Sequence, residues 1–345
     1  MPFVESGGFV VVVVGATGAV GEDLSRALAL SALPIRELRL VSSPRGTVSS
    51  LEIDGKDLPV TQLTDPVSDS PALDGASLVF FATPPEVTRS LAPTVGEMVP
   101  AVIDVGSSLA GDAPLWVPFA GTRTVEEIAQ QGQIIGSPSA AAVAIATILG
   151  PLVRLGASAC RATVLVSAGS AGKAGVEELS QQVIAMFNSR EPPRAVFPTG
   201  LAFDLLPQVG ELGADGVSSV EWRIVAEVAA AVGLAPEQIL VTVLGVPTFS
   251  GIGLELHVEI DPLPDLADVR AELEGVPTIE LGEPIPGPKR LVGKSRLRVG
   301  RLRVDPLGNG VHLVAMGDNL RFGASGNAVA IALQLWRSGI LDAAS

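Results

Sequence analysis

The chain has 345 residues, 47% of them hydrophobic and 17% charged, with a formal net charge of −14; this acidic, core-forming balance argues against nucleic acid as a partner. A length above 300 residues exceeds one simple core, so two domains are expected. Its single cysteine, Cys160, leaves no internal disulfide and no cysteine metal cluster, no other metal-ligand spacing is recognised, and a reducing cytoplasm is the expected location.

Phe9 to Val14 is an unbroken β-branched and aromatic run, the pattern of a strand covered on both faces in a parallel sheet. The residues before it include Glu5 and no Lys or Arg, and the run is too short for a secretory or membrane-spanning segment, so no membrane association is expected. The turn Gly15-Ala16-Thr17-Gly18-Ala19-Val20-Gly21 follows at once, and a helix is expected over Glu22 to Leu30. There, backbone N–H groups and the positive end of the helix can hold a pyrophosphate, with glycine letting the ligand approach. The spacing is GxxGxxG, so its place between strand and helix carries the dinucleotide reading, against a tight turn without a ligand. A second strand, Arg36 to Val41, runs into Ser42, Ser43, Pro44 and Arg45 with no acid to take a ribose 2′-hydroxyl. Arginine beside hydroxyls suits a 2′-phosphate and favours NADP over NAD, although Arg45 also reads as a solvated loop charge. Further strands at Ser77 to Phe81 and Val102 to Val105, with helices between, indicate α/β architecture with parallel pairing.

Beyond about Gly136 the texture changes. Ala140 to Leu149, closed by Gly150-Pro151, reads as a buried helix. Val176, Leu179, Val183, Ile184 and Phe187 share one helical face, expected to be core. Ser218 and Glu221 have capping-box spacing at the start of a helix that Gly233 should end. Alternation over Gly253 to Ile260 predicts a mixed or antiparallel sheet, and Pro277 to Pro288 reads as a surface connection. The expected division is a parallel-sheet domain over 1–136, completed by a C-terminal helix over 324–345, and an α+β domain with a mixed sheet over 137–323.

Five strings in order, GATGAVG at Gly15, VIDVGSS at Val102, SAGKAGVEEL at Ser170, AFDLLPQVGE at Ala202 and GDNLRFGASGNAV at Gly317, make the chain resemble aspartate-semialdehyde dehydrogenases over nearly its whole length. The resemblance implies an N-terminal Rossmann-type domain, a second domain that forms a homodimer, and reduction of aspartyl phosphate with NADPH through a thioester on cysteine. Such chemistry needs a thiolate, a base and cations for the substrate's anionic groups. The family's nucleophile lies in Asn-Pro-Asn-Cys, and the matching stretch is Ser137-Pro138-Ser139-Ala140. Its histidine base follows Val-Pro-Val-x-x-Gly, where Ile252 stands; its carboxylate-gripping arginine corresponds to Gly245 and its phosphate-holding arginine to Ala110. Glu221 and Arg223 fit the family's Glu-x-Lys pair facing the substrate, with helix capping an equal account of Glu221. Asn319 matches a position near the nicotinamide amide and Gly172 a loop near the cofactor, with turn chemistry as the alternative for both.

The missing groups are not expected elsewhere. His257 lies an odd number of residues past Ile252 on one strand, so it faces the opposite side of the sheet. His312 reads as structural, and Cys160, which follows a helix end and leads into a strand over Ala162 to Val166, as a small buried thiol. The chain is thus similar to the Usg-type branch of the family: catalytically silent for the family reaction, with a binding or assembly role and NADP as ligand. The alternative is an active NADP-dependent oxidoreductase on another aldehyde or acyl substrate, with Ser139 as nucleophile or with hydride transfer needing none, but that serine lacks an adjacent base. The sibling N-acetyl-glutamyl-phosphate reductases need the same cysteine and histidine.

Overall fold

A computed structural model describes residues 7–42, 46, 48–306 and 309–341. The chain divides into two compact units, one of residues 1–118, 123–139 and 324–345, the other of residues 119–122 and 140–323. No helix among the described residues is long and apolar enough to cross a membrane.

In the first unit, β1 (Phe9–Val14) leads into α1 (Ala19–Ala29) and β2 (Ile35–Ser42), then the hairpin β3 (Ser50–Ile53) and β4 (Lys56–Gln62). β5 (Leu78–Phe81), α2 (Pro85–Gly96), β6 (Ala101–Val105), α3 (Val125–Ala129) and β7 (Ile134–Ser137) follow. The seven strands lie in the order β3-β4-β2-β1-β5-β6-β7, all pairs parallel except β3 with β4. Every residue of β1 is buried because the sheet is covered twice. Val11 and Val13 join Leu24 and Leu28 of α1 and Ile331 and Leu335 of the C-terminal helix Ser325–Arg337, while Val12 and Val14 join Ala92 and Val95 of α2. From β1 the chain passes first to β2 on one side and later to β5 on the other. That reversal opens a crevice at the strand's carboxyl end, where the glycine turn sits.

The second unit comprises α4 (Ala140–Arg154), β8 (Ala157–Val166), α5 (Gly172–Phe187), α6 (Ser219–Val232), β9 (Ile239–Gly245), β10 (Ile252–Ile260), α7 (Leu266–Glu274), β11 (Ile279–Leu281), β12 (Leu297–Val304) and β13 (Gly310–Gly317). Its sheet runs β11-β12-β13-β10-β8-β9 and is mixed: β8 with β9 and β11 with β12 are parallel, the rest antiparallel. On β10 the alternation is complete: Leu254, Leu256, Val258 and Ile260 are buried, while Glu255, His257 and Glu259 are half-buried on the other face. α6 begins with the expected capping box of Ser218 and Glu221 and ends at Gly233, whose φ of +80° is left-handed.

Four expectations are corrected. α4 does not stop at Gly150-Pro151 but continues to Arg154, since Gly150 packs directly on the backbone of Ala120, 2.2 Å from where a Cβ would stand. The apolar face of α5 is core only in part: Leu179 is buried, yet Ile184 is 58% and Phe187 78% exposed. Cys160 lies within β8 instead of ahead of it. The connection Pro277 to Pro288 contains β11, formed because Ile279 is drawn into the core while its segment pairs with β12.

Candidate functional site

The glycine turn is held by main chain on every side. Gly15 and Ala16 donate to the carbonyl of Val41, at 2.8 and 3.0 Å, and Gly18 donates to Gly15 O at 3.1 Å. Gly15 has φ +86°, and a Cβ there would lie 2.4 Å from the carbonyl oxygen of Ala82. A Cβ on Gly21 would meet Gly15 O at 2.1 Å, so α1 can approach the turn only with glycine at that position. Gly18 is the helix N-cap, exposed and without a side-chain cap, and the amides of Ala19, Val20 and Gly21 have no preceding helical carbonyl. Such amides at the positive end of a helix, here beside Thr17, can hold an anion. Ser43 and Arg45 lie outside the described residues.

Nearby in the same unit, burial raises the pKa of Asp104, with the amides of Leu109 and Ser108 acting against it. Its Oδ2 accepts from Leu109 N at 2.8 Å and shapes the bend that carries Ser107, at φ +55°, and exposed Ala110.

In the second unit, Ala140 opens α4, half-buried, against Gly323, where an added Cβ would come within 2.5 Å of the Ala140 methyl. Ile252 begins β10, is 2% exposed, and lies between Gly317 and Val166 in register. Asn319, on a π-helical turn, accepts from the amide of Gly251 at 2.8 Å, fixing the approach to Ile252. Gly245 ends β9 and exchanges two 2.9 Å backbone hydrogen bonds with Leu206, whose Cβ would be 2.9 Å from a Cβ on Gly245. A cavity of about 520 Å³ opens here, lined among others by Ser167, Ser170, Phe197, Leu206, Gln208 and Gly245, with no charged side chain among the described residues that line it. Ser167 Oγ is enclosed there without a hydrogen-bond partner.

Glu221 is fully occupied: one oxygen accepts from Ser218 N and the other from Val243 N, both at 2.8 Å. Exposed Arg223 reaches toward Glu227, at 3.9 Å. Gly172, at φ +72°, turns the chain into α5. Burial pushes the Cys160 thiol up to about 12, with the negative charge of Glu255 adding to the shift and Arg161 opposing it.

Sequence reasoning missed one device. Glu178, buried on α5, accepts from the amides of Ala195, Val196 and Phe197 at 2.7 to 2.8 Å, and Gln182 accepts from Leu201 and Ala202. The two hold the cavity wall in place. Their signal was available: an acid and an amide four residues apart, bracketing buried Leu179 on one helical stripe.

Residues 10–128 match the model of the semialdehyde dehydrogenase NAD binding domain, and residues 149–322 that of the semialdehyde dehydrogenase dimerisation domain. The chain is 33% identical to a USG-1 protein homolog of Azotobacter vinelandii, over 95% of this chain and 98% of that one. It is 31% identical to an aspartate-semialdehyde dehydrogenase of Rickettsia bellii, over 94% and 97%. The crystal structure of aspartate semialdehyde dehydrogenase II from Vibrio cholerae, complexed with ASA, superposes with a TM-score of 0.87 at 30% identity, covering 96% of this chain and 99% of that one. The chain belongs to the semialdehyde dehydrogenase family, with that family's NAD binding and dimerisation domains.

Proposed function

We propose that this chain binds NADP and self-associates but does not catalyse the reduction of aspartyl phosphate. The observation that carries the reading is the composition of the second unit's candidate positions: a methyl at Ala140, a buried alkyl chain at Ile252 and a bare backbone at Gly245, the last on a cavity lined by no charge among its described residues. Thioester chemistry needs a nucleophile with a base within reach, and an anionic substrate needs cations. Cys160 offers no substitute, being sealed on the core face of β8 as a neutral thiol. The imidazoles of this unit stand on the face of β10 and β13 opposite to Ile252, so neither replaces the base there.

The cofactor half supports the opposite fate. Gly15, Gly18 and Gly21 keep an anion cradle open, and Thr17, Ala19 and Val20 line it. Ser43 and Arg45 supply the NADP preference. Glu221 acts as a helix cap, with Arg223 its remnant neighbour. A homodimer is supported by the dimerisation domain and by an apolar surface on α5. There Phe187 and Phe203, 78% and 65% exposed, stack edge to face at 5.8 Å. Phe203 sits at φ +61°, a conformation costly for an aromatic residue unless it is fixed for contact.

Calorimetric titration should show NADPH binding more tightly than NADH; absence of binding by both removes the cofactor assignment. Phosphate-dependent oxidation of aspartate semialdehyde should stay at blank level, and turnover on the order of 1 s⁻¹ or faster would overturn the silent assignment. Ala140→Cys alone should not restore activity, because no base or anion clamp comes with it.

A further inference from the structure

We infer that the outer face of the second unit's sheet carries a zinc-class divalent metal site formed by His257, His312 and Asp305. His257 on β10 and His312 on β13 are direct partners in antiparallel register, with ring centroids 4.8 Å apart. Asp305 joins them from the turn after β12, where its amide donates to Gly310 O at 2.9 Å. Its Oδ2 lies 2.9 Å from His257 Nε2, and its Oδ1 lies 3.9 Å from His312 Nε2. One ligand atom from each residue falls within 4.8 Å of the other two. Tetrahedral zinc with bonds near 2.0 to 2.1 Å needs ligand atoms about 3.3 Å apart; the two oxygens of Asp305 stand on either side of that separation, Oδ2 inside it from His257 Nε2 and Oδ1 outside it from His312 Nε2. The remaining gap is within reach of side-chain rotation.

Three further features point to a ligand instead of a self-contained hydrogen-bond cluster. His257 Nε2 is enclosed, and although Asp305 is close, no hydrogen bond of acceptable geometry forms. His312 Nδ1 lies 2.9 Å from Glu255 Oε1, which accepts its proton and leaves the Nε2 lone pair facing Asp305. This is the carboxylate–histidine support that metal-bound imidazoles use. Gly310 admits His257: a Cβ there would stand 3.1 Å from Nε2. Two imidazoles and one carboxylate suit zinc and its first-row neighbours better than magnesium or calcium, and three protein ligands leave a fourth position for water.

One residue opposes binding in a way that makes the site testable. Arg161 Nη1 lies 3.3 Å from His257 Nδ1 while also pairing with Glu259. Arginine only donates, so in the metal-free chain Nδ1 accepts and Nε2 carries the proton. On metal binding that proton leaves Nε2 and Nδ1 becomes protonated, so the guanidinium must swing away; its side chain is 56% exposed and free to do so.

The untagged full chain, stripped with chelator, would be titrated with zinc chloride by calorimetry and with cobalt(II) by visible absorption. One ion per chain and a tetrahedral cobalt spectrum are expected. Glu255→Gln should weaken binding by about 10-fold, and His312→Ala by more than that. Arg161→Gln should tighten it several-fold, a gain that a misfolded variant could not produce. No stoichiometric zinc in the wild type, or a His312→Ala chain that binds as tightly as the wild type, would overturn the site. NADPH binding is read separately in the same samples, so loss of one assignment leaves the other standing.

Discussion

Two crowded places in this molecule are crowded by different kinds of neighbour. Around Gly15 and Gly21 the obstacles are main-chain oxygens, those of Ala82 and of Gly15 itself, at 2.4 and 2.1 Å from where a Cβ would stand. Around Gly245 the obstacle is the side chain of Leu206, at 2.9 Å. A backbone cradle cannot yield without moving a strand or a helix, whereas a leucine can turn to another rotamer. The difference separates two kinds of function. Anion binding at a helix start is a property of the backbone and depends on glycine, while acyl transfer is a property of side chains that can be exchanged for Ala, Gly or Ile with the fold intact. On the proposed reading one half keeps its function and the other does not.

The most damaging way to test that contrast is to add the same methyl group in both places. Gly21→Ala should cost about 3 kcal/mol, because overpacking against fixed backbone finds no relief, and NADPH binding should disappear with it. Gly245→Ala should cost about 1 kcal/mol and leave NADPH binding unchanged, because Leu206 can move. Urea unfolding midpoints and cofactor titration read both, and a reversed order would break the comparison.

A smaller effect sharpens the second half of the contrast. The wall beside Gly245 depends on Glu178, whose carboxylate takes three amides. Glu178→Gln replaces one acceptor oxygen by a donor facing amide hydrogens, and should cost about 2 kcal/mol. Hydrogen exchange should quicken over 195–202 and not in the glycine turn. Uniform acceleration in both places would mean that the wall is not a local device.

The same contrast governs what could be read in the sequence. The β1 strand and its turn were legible because their constraints are local: an unbroken apolar run, then glycines at fixed steps. The capping box of Ser218 and Glu221 and the outward side of His257 were legible for the same reason, since caps and strand parity need only a few neighbouring residues. The continuation of α4 through Pro151 was not, because the approach of Ala120 that Gly150 permits is a tertiary event. Ile184 and Phe187 show the reverse: helical periodicity says which residues share a face and is silent on what covers it. The hairpin of β3 and β4 was signalled by Asp54-Gly55, both at positive φ, yet its strands are mostly exposed and carry little hydrophobic pattern. The cluster of His257, His312 and Asp305 could not be found from spacing, because it depends on the pairing of β10 with β13 and the turn that brings Asp305 back.

The smallest expected effect concerns Cys160, and it bears on whether the second half has any nucleophile in reserve. Strand parity places Cys160 on the core face of β8 and Arg161 on the other, so the one cation beside it in sequence does little to stabilise a thiolate. Burial comes first among the causes that push the thiol from 9.0 up to about 12, and the charge of Glu255 comes second. A raised folded-state pKa contributes stability that is complete below the unfolded value and is lost as pH climbs through the folded one. The stability difference between the wild type and Cys160→Ala should therefore be flat from about pH 6 to 8 and shrink above about pH 9, as the unfolded chain gains a thiolate that the folded chain refuses. At pH 8 the native chain should react with iodoacetamide far more slowly than the unfolded one, since the thiolate is the nucleophile and is scarce and enclosed in the fold. Alkylation of the native chain at the rate of a free thiol would place an accessible thiolate in this unit and return a nucleophile to the half proposed to lack one.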